Sequence, residues 1–243
     1  MARRGVCSRR DAEKIIFEGR VCLDGNKVVT PATIVFQNST ISIDGKNIPP
    51  KEKCRVWCYH KTVGTVTTHS DPFRRRRTVF EDEISAFDLP RVISVGRLDL
   101  NSSEGLLLLT NDGNFARHAE LPSTAWPRSY KVRTFGEINP TDLTDLARGI
   151  TVDGFEYGPI KANLAREQNT MRGNQWLDVT LYEGKNREIR RVMEHLGLQV
   201  NRLIRVGYGP YSLGNLPPNG IREVVPQLNL PTATFPITPE SDQ

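Results

Sequence analysis

Three segments of the chain carry residue types with chemical potential. In Gly96-Arg97-Leu98-Asp99-Leu100-Asn101, polar and apolar residues alternate. Period two therefore puts Arg97, Asp99 and Asn101 on one face and the two leucines on the other. The segment lies between two apolar runs, Val92–Val95 and Leu106–Leu109, which would hold Asp99 on a rigid support. Asp99 is thus a candidate reactive carboxylate, although an acid beside an arginine at a strand end is, taken alone, more often a structural ion pair. The second segment runs from Glu183 to Gly197. Ile189, Val192, Met193 and Leu196 fall at helical spacing and form one apolar stripe, while Arg187, Arg190, Arg191 and Glu194 repeat the spacing on the outer side. Arg190 lies nearest the apolar border, where it can reach inward to a carboxylate; Arg187 and Arg191 can face phosphates. Asn186 can cap the helix and Gly197 can end it. A merely solvated face competes, but three arginines with few neighbouring acids weigh against it. The third segment is Arg128-Ser129-Tyr130-Lys131-Val132-Arg133. A tyrosine with basic neighbours can stack on a nucleobase, or pack in a core with its hydroxyl satisfied.

Other chemistry finds less support. Cys54, Cys58 and His60 are close together, but strand alternation fits them as packing residues, and no second ligand pair stands at zinc-site spacing. His69, His118 and His195 have no serine or cysteine partner in a recognisable motif. There is no phosphate-cradling glycine loop and no dinucleotide fingerprint. The sequence therefore predicts neither cofactor nor metal.

The elements that must position these residues read as follows. Residues 8–18 form a short helix, with Ser8 as cap and Asp11 in capping-box position. Strands at 21–23, 33–36 and 40–43 complete a compact αβ unit ending near Asn47, and 48–54 is a linker. From 55 to 225, strands are expected at 55–59, 64–68, 92–98, 105–110, 130–135, 159–164, 176–182 and 200–206. Helices are expected near 114–120, 140–148 and 186–196. The helices are interspersed without regular βαβ spacing, which favours an α+β domain on a mixed or largely antiparallel sheet. The proline-rich stretch 226–243 reads as an extended or disordered tail.

Charge points to a polyanion. The net charge of +5 belongs entirely to residues 1–60, which hold 11 Lys/Arg and 6 Asp/Glu; the rest balances. Nucleic acid is the first candidate partner for such a module, with ordinary surface charge as the alternative. Arg74-Arg75-Arg76-Arg77 follows a turn and repels itself unless phosphates neutralise it, though a solvated loop explains it equally well. No apolar run approaches the roughly 18 residues of a membrane span, and no apolar signal core follows Met1. An intracellular protein without a membrane partner is expected.

Together these segments resemble the RsuA/RluB-type ribosomal RNA pseudouridine synthases. Residues 5–47 are similar to that family's small αL RNA-binding domain, here N-terminally short. Gly96-Arg97-Leu98-Asp99 with GLLLLTNDG at 105–113 is similar to its signature loop and strand. Arg128–Val132 and EGKNREIRRVMEHLGLQVNRLIR at 183–205 match its later motifs. Four motifs in the right order cover nearly the whole chain, and the Asn186–Pro218 region is most similar to the RluB branch, which acts on large-subunit rRNA.

The resemblance implies a pseudouridine-synthase-type catalytic domain at 55–225 behind an αL domain at 1–47. Asp99 would be the catalytic aspartate, Tyr130 would pack against the target base, and Arg190 would pair with the aspartate. Arg97 would occupy the space of the extruded base, and Leu203 would line the pocket. Arg9, Arg10, Arg74–Arg77, Arg187 and Arg191 would contact RNA. The implied enzyme is a cytoplasmic monomer acting on ribosomal RNA, free or in an assembly intermediate. A non-catalytic rRNA-binding or assembly factor on the same fold is the alternative; a glycosidase would need a second carboxylate opposite Asp99. Two positions depart from the family pattern: Thr62 stands where proline is usual, and the Ser102-Ser103 pair reads as a one-residue insertion after Asp99.

Overall fold

The computed structural model describes residues 1–36, 38–73, 75–100, 103–166 and 173–228. Helix α1 (Arg9–Phe17) opens with a capping box, in which Ser8 Oγ accepts from Asp11 N at 3.1 Å. It packs on a small antiparallel sheet of β1 (Val21–Leu23), β2 (Asn26–Lys27), β3 (Ile41–Ile43) and β4 (Lys46–Asn47), in the order β2-β1-β3-β4. Asp24-Gly25 and Asp44-Gly45 both take positive φ, the conformation that tight two-residue hairpin turns require. The expected strand at 33–36 is not formed. Ile34, Val35 and Phe36 are exposed and belong to the connection between β2 and β3, because Val21, Val28 and Ile41 already fill this small core.

The larger domain contributes β5 (Val56–Lys61), β6 (Ile93–Val95), β7 (Glu104–Thr110), α2 (Gly113–Glu120), β8 (Arg128–Phe135), α3 (Pro140–Asp145), β9 (Ile150–Val152), β10 (Phe155–Tyr157), β11 (Lys161–Leu164), β12 (Asn174–Leu181), α4 (Glu188–His195), β13 (Gln199–Tyr208), β14 (Tyr211–Ser212) and β15 (Ile221–Val224). Its sheet runs β11-β12-β8-β13-β7-β5-β15, with β6 and β14 paired at the side. All these pairs are antiparallel except β7 with β13, so the sheet is mixed.

Strand β7 shows why the chain folds this way. Leu106, Leu107, Leu108 and Leu109 are all fully buried. Leu106 and Leu108 pack with Phe115, Trp126 and Tyr208 on one face; Leu107 and Leu109 pack with Trp57, Tyr59 and Leu98 on the other. An unbroken apolar run fits only a strand covered on both sides, and each such leucine contributes roughly 2 kcal/mol. Helix α2 follows at once, capped by Asp112, whose carboxylate accepts from Asn114 N and pairs with Lys51. Helices α3 and α4 cover β8, β12 and β13 through Leu143, Ile189, Val192 and Met193.

One further local expectation changes, and several elements are added. Residues 64–68 form a loop with one isolated bridge, Val66 to Thr78. Residues 79–86 wind into short helical turns, the first capped by Thr78. The β9–β10 hairpin, turned by Asp153-Gly154 at positive φ, and the edge strand β15 are additional elements. Among the described residues no helix is long and apolar enough to cross a membrane.

Gly105 joins the halves of the sheet. Its φ is +102°, and a Cβ there would stand 2.3 Å from the Arg205 carbonyl oxygen. Gly105→Ala should therefore lower the unfolding free energy by on the order of 3 kcal/mol. Urea denaturation measures this, and a loss below about 0.5 kcal/mol would contradict the close packing of β7 on β13.

Candidate active site

Asp99 stands in an irregular segment between β6 and β7, not at a strand end, because β6 stops at Val95. Hydrogen bonds replace the expected strand as its support. Gly96 N donates to Glu120 Oε1 at 2.7 Å, and Thr67 Oγ1 both donates to Leu98 O and accepts from Leu98 N. Gly64 N donates to Leu100 O at 2.8 Å. Leu98 is buried and Arg97 exposed, as alternation predicts, while Asn101 and Ser102 lie outside the described residues.

Beneath the segment lies a residue that sequence reasoning did not single out. Lys61 ends β5 and is 0% exposed. Its Nζ donates to Thr62 O at 2.9 Å and to Asp99 O at 3.4 Å. Burial pushes its pKa down, and the charges of Glu83, Asp99 and Glu104 oppose that shift. The signal available in the sequence was a lysine closing an otherwise apolar strand.

The Asp99 side chain is 40% exposed, and its Oδ2 is 3.9 Å from Arg187 Nη1. The ion pair thus comes from Arg187, which was expected to meet phosphates, and not from Arg190. The reason is local backbone. Arg187 takes left-handed φ of 51° immediately before α4, which turns it toward Asp99; Asn186 makes no cap. Arg190 is half-buried, and its Nη1 donates to Val200 O at 2.9 Å. Burial lowers the Arg190 pKa, the neighbouring Arg187 lowers it further, and Asp99 acts in the opposite sense. Two guanidiniums therefore bear on one carboxylate. At this exposure and distance the ion pair itself is worth well under about 1 kcal/mol, so its role is orientation.

Tyr130 and Leu203 sit on adjacent strands. Leu203 faces Val132, and Tyr130 faces Arg205 and Val179, with Tyr130 packed on the cluster that contains Leu203. Leu203 is a buried core residue there. Register links this patch to Asp99. Tyr130 pairs with Arg205, Arg205 with Gly105, and Gly105 with Lys61, so one transverse row crosses β8, β13, β7 and β5. Arg205 is buried, with Nε donating to Leu106 O, and Gly105 lies between it and Lys61 in the row.

The remaining basic residues are dispersed. Arg9 and Arg10 are exposed in the first turn of α1. Arg191 is exposed and lies over the Phe155 ring at 5.5 Å. Arg74 lies outside the described residues. Arg75 covers Phe73, and Arg77 is exposed. Arg76 is engaged otherwise: its N and Nε donate to the buried Asp71, whose pKa these bonds hold below the usual carboxylate range. The tetrad is therefore not four equivalent cations. Among the described residues no group of three or more His, Cys, Asp or Glu side chains could hold a metal ion.

Known proteins resemble this chain over most of its length. The family model described as RNA pseudouridylate synthase matches residues 55–195, and that of the S4 domain matches residues 1–41. An uncharacterized RNA pseudouridine synthase of Rickettsia bellii is 50% identical over 92% of this chain and 94% of its own length. Ribosomal large subunit pseudouridine synthase B of Yersinia pestis is 42% identical over 90% of this chain and 69% of its own. Among solved structures, a pseudouridylate synthase crystal structure has a TM-score of 0.62 at 23% identity, covering 92% of this chain and 93% of that one, which establishes likeness of fold.

The buried ammonium has a measurable signature. Because the folded pKa of Lys61 is lowered, the native state binds fewer protons than the unfolded chain as pH approaches the ordinary lysine value of 10.5. The penalty is complete below the folded pKa and disappears as pH rises past the unfolded one. Relative to Lys61→Met, the wild type should therefore gain stability as pH rises toward 10.5. Paired urea titrations test this; parallel curves would mean that the ammonium is hydrated.

Proposed function

The chain belongs to the RNA pseudouridylate synthase family, and we propose that it isomerises a uridine of large-subunit ribosomal RNA with Asp99 as the catalytic carboxylate. The protein is an RNA pseudouridine synthase, an isomerase with an S4 RNA-binding domain. The large-subunit substrate is supported by 42–43% identity over 90% of the chain to relatives described as ribosomal large subunit pseudouridine synthase B. Such a substrate implies a cytoplasmic enzyme, here acting as a monomer through an RNA-binding unit at 1–47 and a catalytic unit at 55–225.

The observation that carries the Asp99 assignment is its construction. The backbone is hydrogen-bonded at residues 96, 98, 99 and 100, yet the carboxylate remains open to a substrate and faces guanidinium charge. Pseudouridine formation breaks the N1–C1′ bond, turns the base and joins C5 to C1′; the C5 proton then leaves and N1 takes one up, which restores the ring. Positive character develops on the sugar as the base leaves, and an ionised carboxylate beneath C1′ stabilises it by charge or by a bond. Arg187 and Arg190 orient that carboxylate. Flipping the uridine out of its stack costs roughly a few kcal/mol. Tyr130 stacking on the base, with Leu203 behind it, and Arg97 filling the gap offset part of that cost. Arg9, Arg10, Arg75, Arg77 and Arg191 track phosphates, with Arg74 beside them in sequence.

Asp99→Asn should retain RNA affinity within about twofold while isomerisation falls by at least 10³-fold. Tritium release from 5-tritiated uridine in an rRNA fragment, beside filter binding, separates the two; normal release by the variant excludes Asp99. Arg187→Ala and Arg190→Ala should each lower kcat more than they raise KM. Equal effects on both parameters would assign those arginines to phosphate contact instead.

A further inference from the structure

The turn that delivers Arg187 to Asp99 is held by a carboxyl group that faces no substrate. No side chain caps the start of α4. Instead the first helical residue reaches backward: Glu188 Oε2 accepts from Lys185 N at 3.0 Å, and Glu188 N donates to Lys185 O at 3.4 Å. Glu188 is 4% exposed, and its Oε1 is sealed from solvent without a hydrogen-bond partner among the described residues.

A second carboxyl acts on it. Glu183, two residues past β12, accepts from Gly158 N and from Lys185 Nζ, both at 2.7 Å. Lys185 also lies over the Tyr157 ring of β10, and the Arg128 guanidinium of β8 approaches Gly184. Of these groups, Glu183 and Lys185 act directly on Glu188. Burial drives Glu183 upward, but Lys185 and Gly158 overcome this and hold it below its ordinary range. Glu188 has one backbone donor and a like charge beside it, so burial first and Glu183 second push it up to about 7. Two adjacent carboxyls driven apart in this way divide their roles: Glu183 is the anion and Glu188 the acid.

We propose that Glu188 is a positioning residue for the catalytic centre, its buried carboxyl holding the Lys185 main chain so that residues 184–187 keep the Arg187 guanidinium beside Asp99. The inference rests on the Asp99 assignment. Ionisation of Glu188 sets two negative charges against each other in a closed space, the turn opens, and Arg187 leaves the carboxylate. Because the folded pKa is raised above the unfolded value of 4.5, the ordered turn is fully favoured below that value and is lost as pH rises through about 7.

The test is a kcat–pH profile from 6.5 to 8.5 on an rRNA fragment, for wild type, Glu188→Gln, Glu188→Ala and the same Gln substitution in an Arg187→Ala background. Wild-type kcat should fall about tenfold across this range with little change in KM. Glu188→Gln keeps the shape and both hydrogen bonds without a titrating proton, so its profile should be flat. Glu188→Ala should lose at least tenfold in kcat at every pH. In the Arg187→Ala background, Glu188→Gln should no longer alter the profile. An alkaline decline in Glu188→Gln that matches wild type would overturn the proposal, as would an effect that survives removal of Arg187. Asp99→Asn, run in parallel, keeps the two readings apart: an active Asp99 variant refutes the catalytic assignment itself, whereas an inactive one with coincident wild-type and Gln profiles refutes only the role of Glu188.

Discussion

A buried ammonium ion holds the sheet and the Asp99 segment together. Lys61 is closed off from water, and the described residues offer its Nζ no carboxylate at ion-pair distance. A charge in that situation is tolerated only while its hydrogen bonds are made. The acceptors that make them are the carbonyls of Thr62 and Asp99, so any movement of the segment away from β5 leaves an unsolvated cation behind. The cost of burying the lysine is thereby converted into a constraint on where Asp99 can be.

Around that constraint the sheet arranges shape and the loops arrange charge. The row from Tyr130 through Arg205 and Gly105 to Lys61 depends on strand register, and Gly105 permits β7 and β13 to approach where any side chain would collide with backbone. One end of the row presents an aromatic ring beside an apolar cluster; the other holds the main-chain carbonyl of Asp99. A substrate group spanning the row would meet a stacking surface and a negative charge on one rigid frame. The arginines come from a separate element, α4, whose apolar stripe is locked into the core through Ile189, Val192 and Met193. Rigid burial on one side of that helix is what allows Arg187 and Arg190 to act at a fixed place on the other.

The positive charge has two functions that differ in solvent. Exposed arginines of the small domain and of the 75–77 stretch are hydrated and suited to long-range attraction of an RNA polyanion, which salt would screen. Lys61, Arg190 and Arg205 are wholly or half buried and are suited to short-range orientation. Arg76 belongs to neither group, since Asp71 uses it to close a loop.

Alternation and helical periodicity were enough to find β5, β7, β8, β12, β13, α1, α2 and α4, because each has one strong burial pattern. They did not reveal two-residue strands such as β2 and β4 or the β9–β10 hairpin, where turn conformation outweighs periodicity. They also misplaced 33–36, whose apolar residues find no free core to enter. Motif order in the sequence identified the family, and residue types nominated the carboxylate, the tyrosine and the arginine helix. Only the folded chain decided that Arg187 makes the ion pair with Asp99 while Arg190 bonds Val200, that Arg76 is consumed by Asp71, and that Lys61 and Glu188 are sealed inside. The reason is that pairing and desolvation depend on distances between segments far apart in sequence, and those distances exist only once strand register and a single left-handed residue have been set.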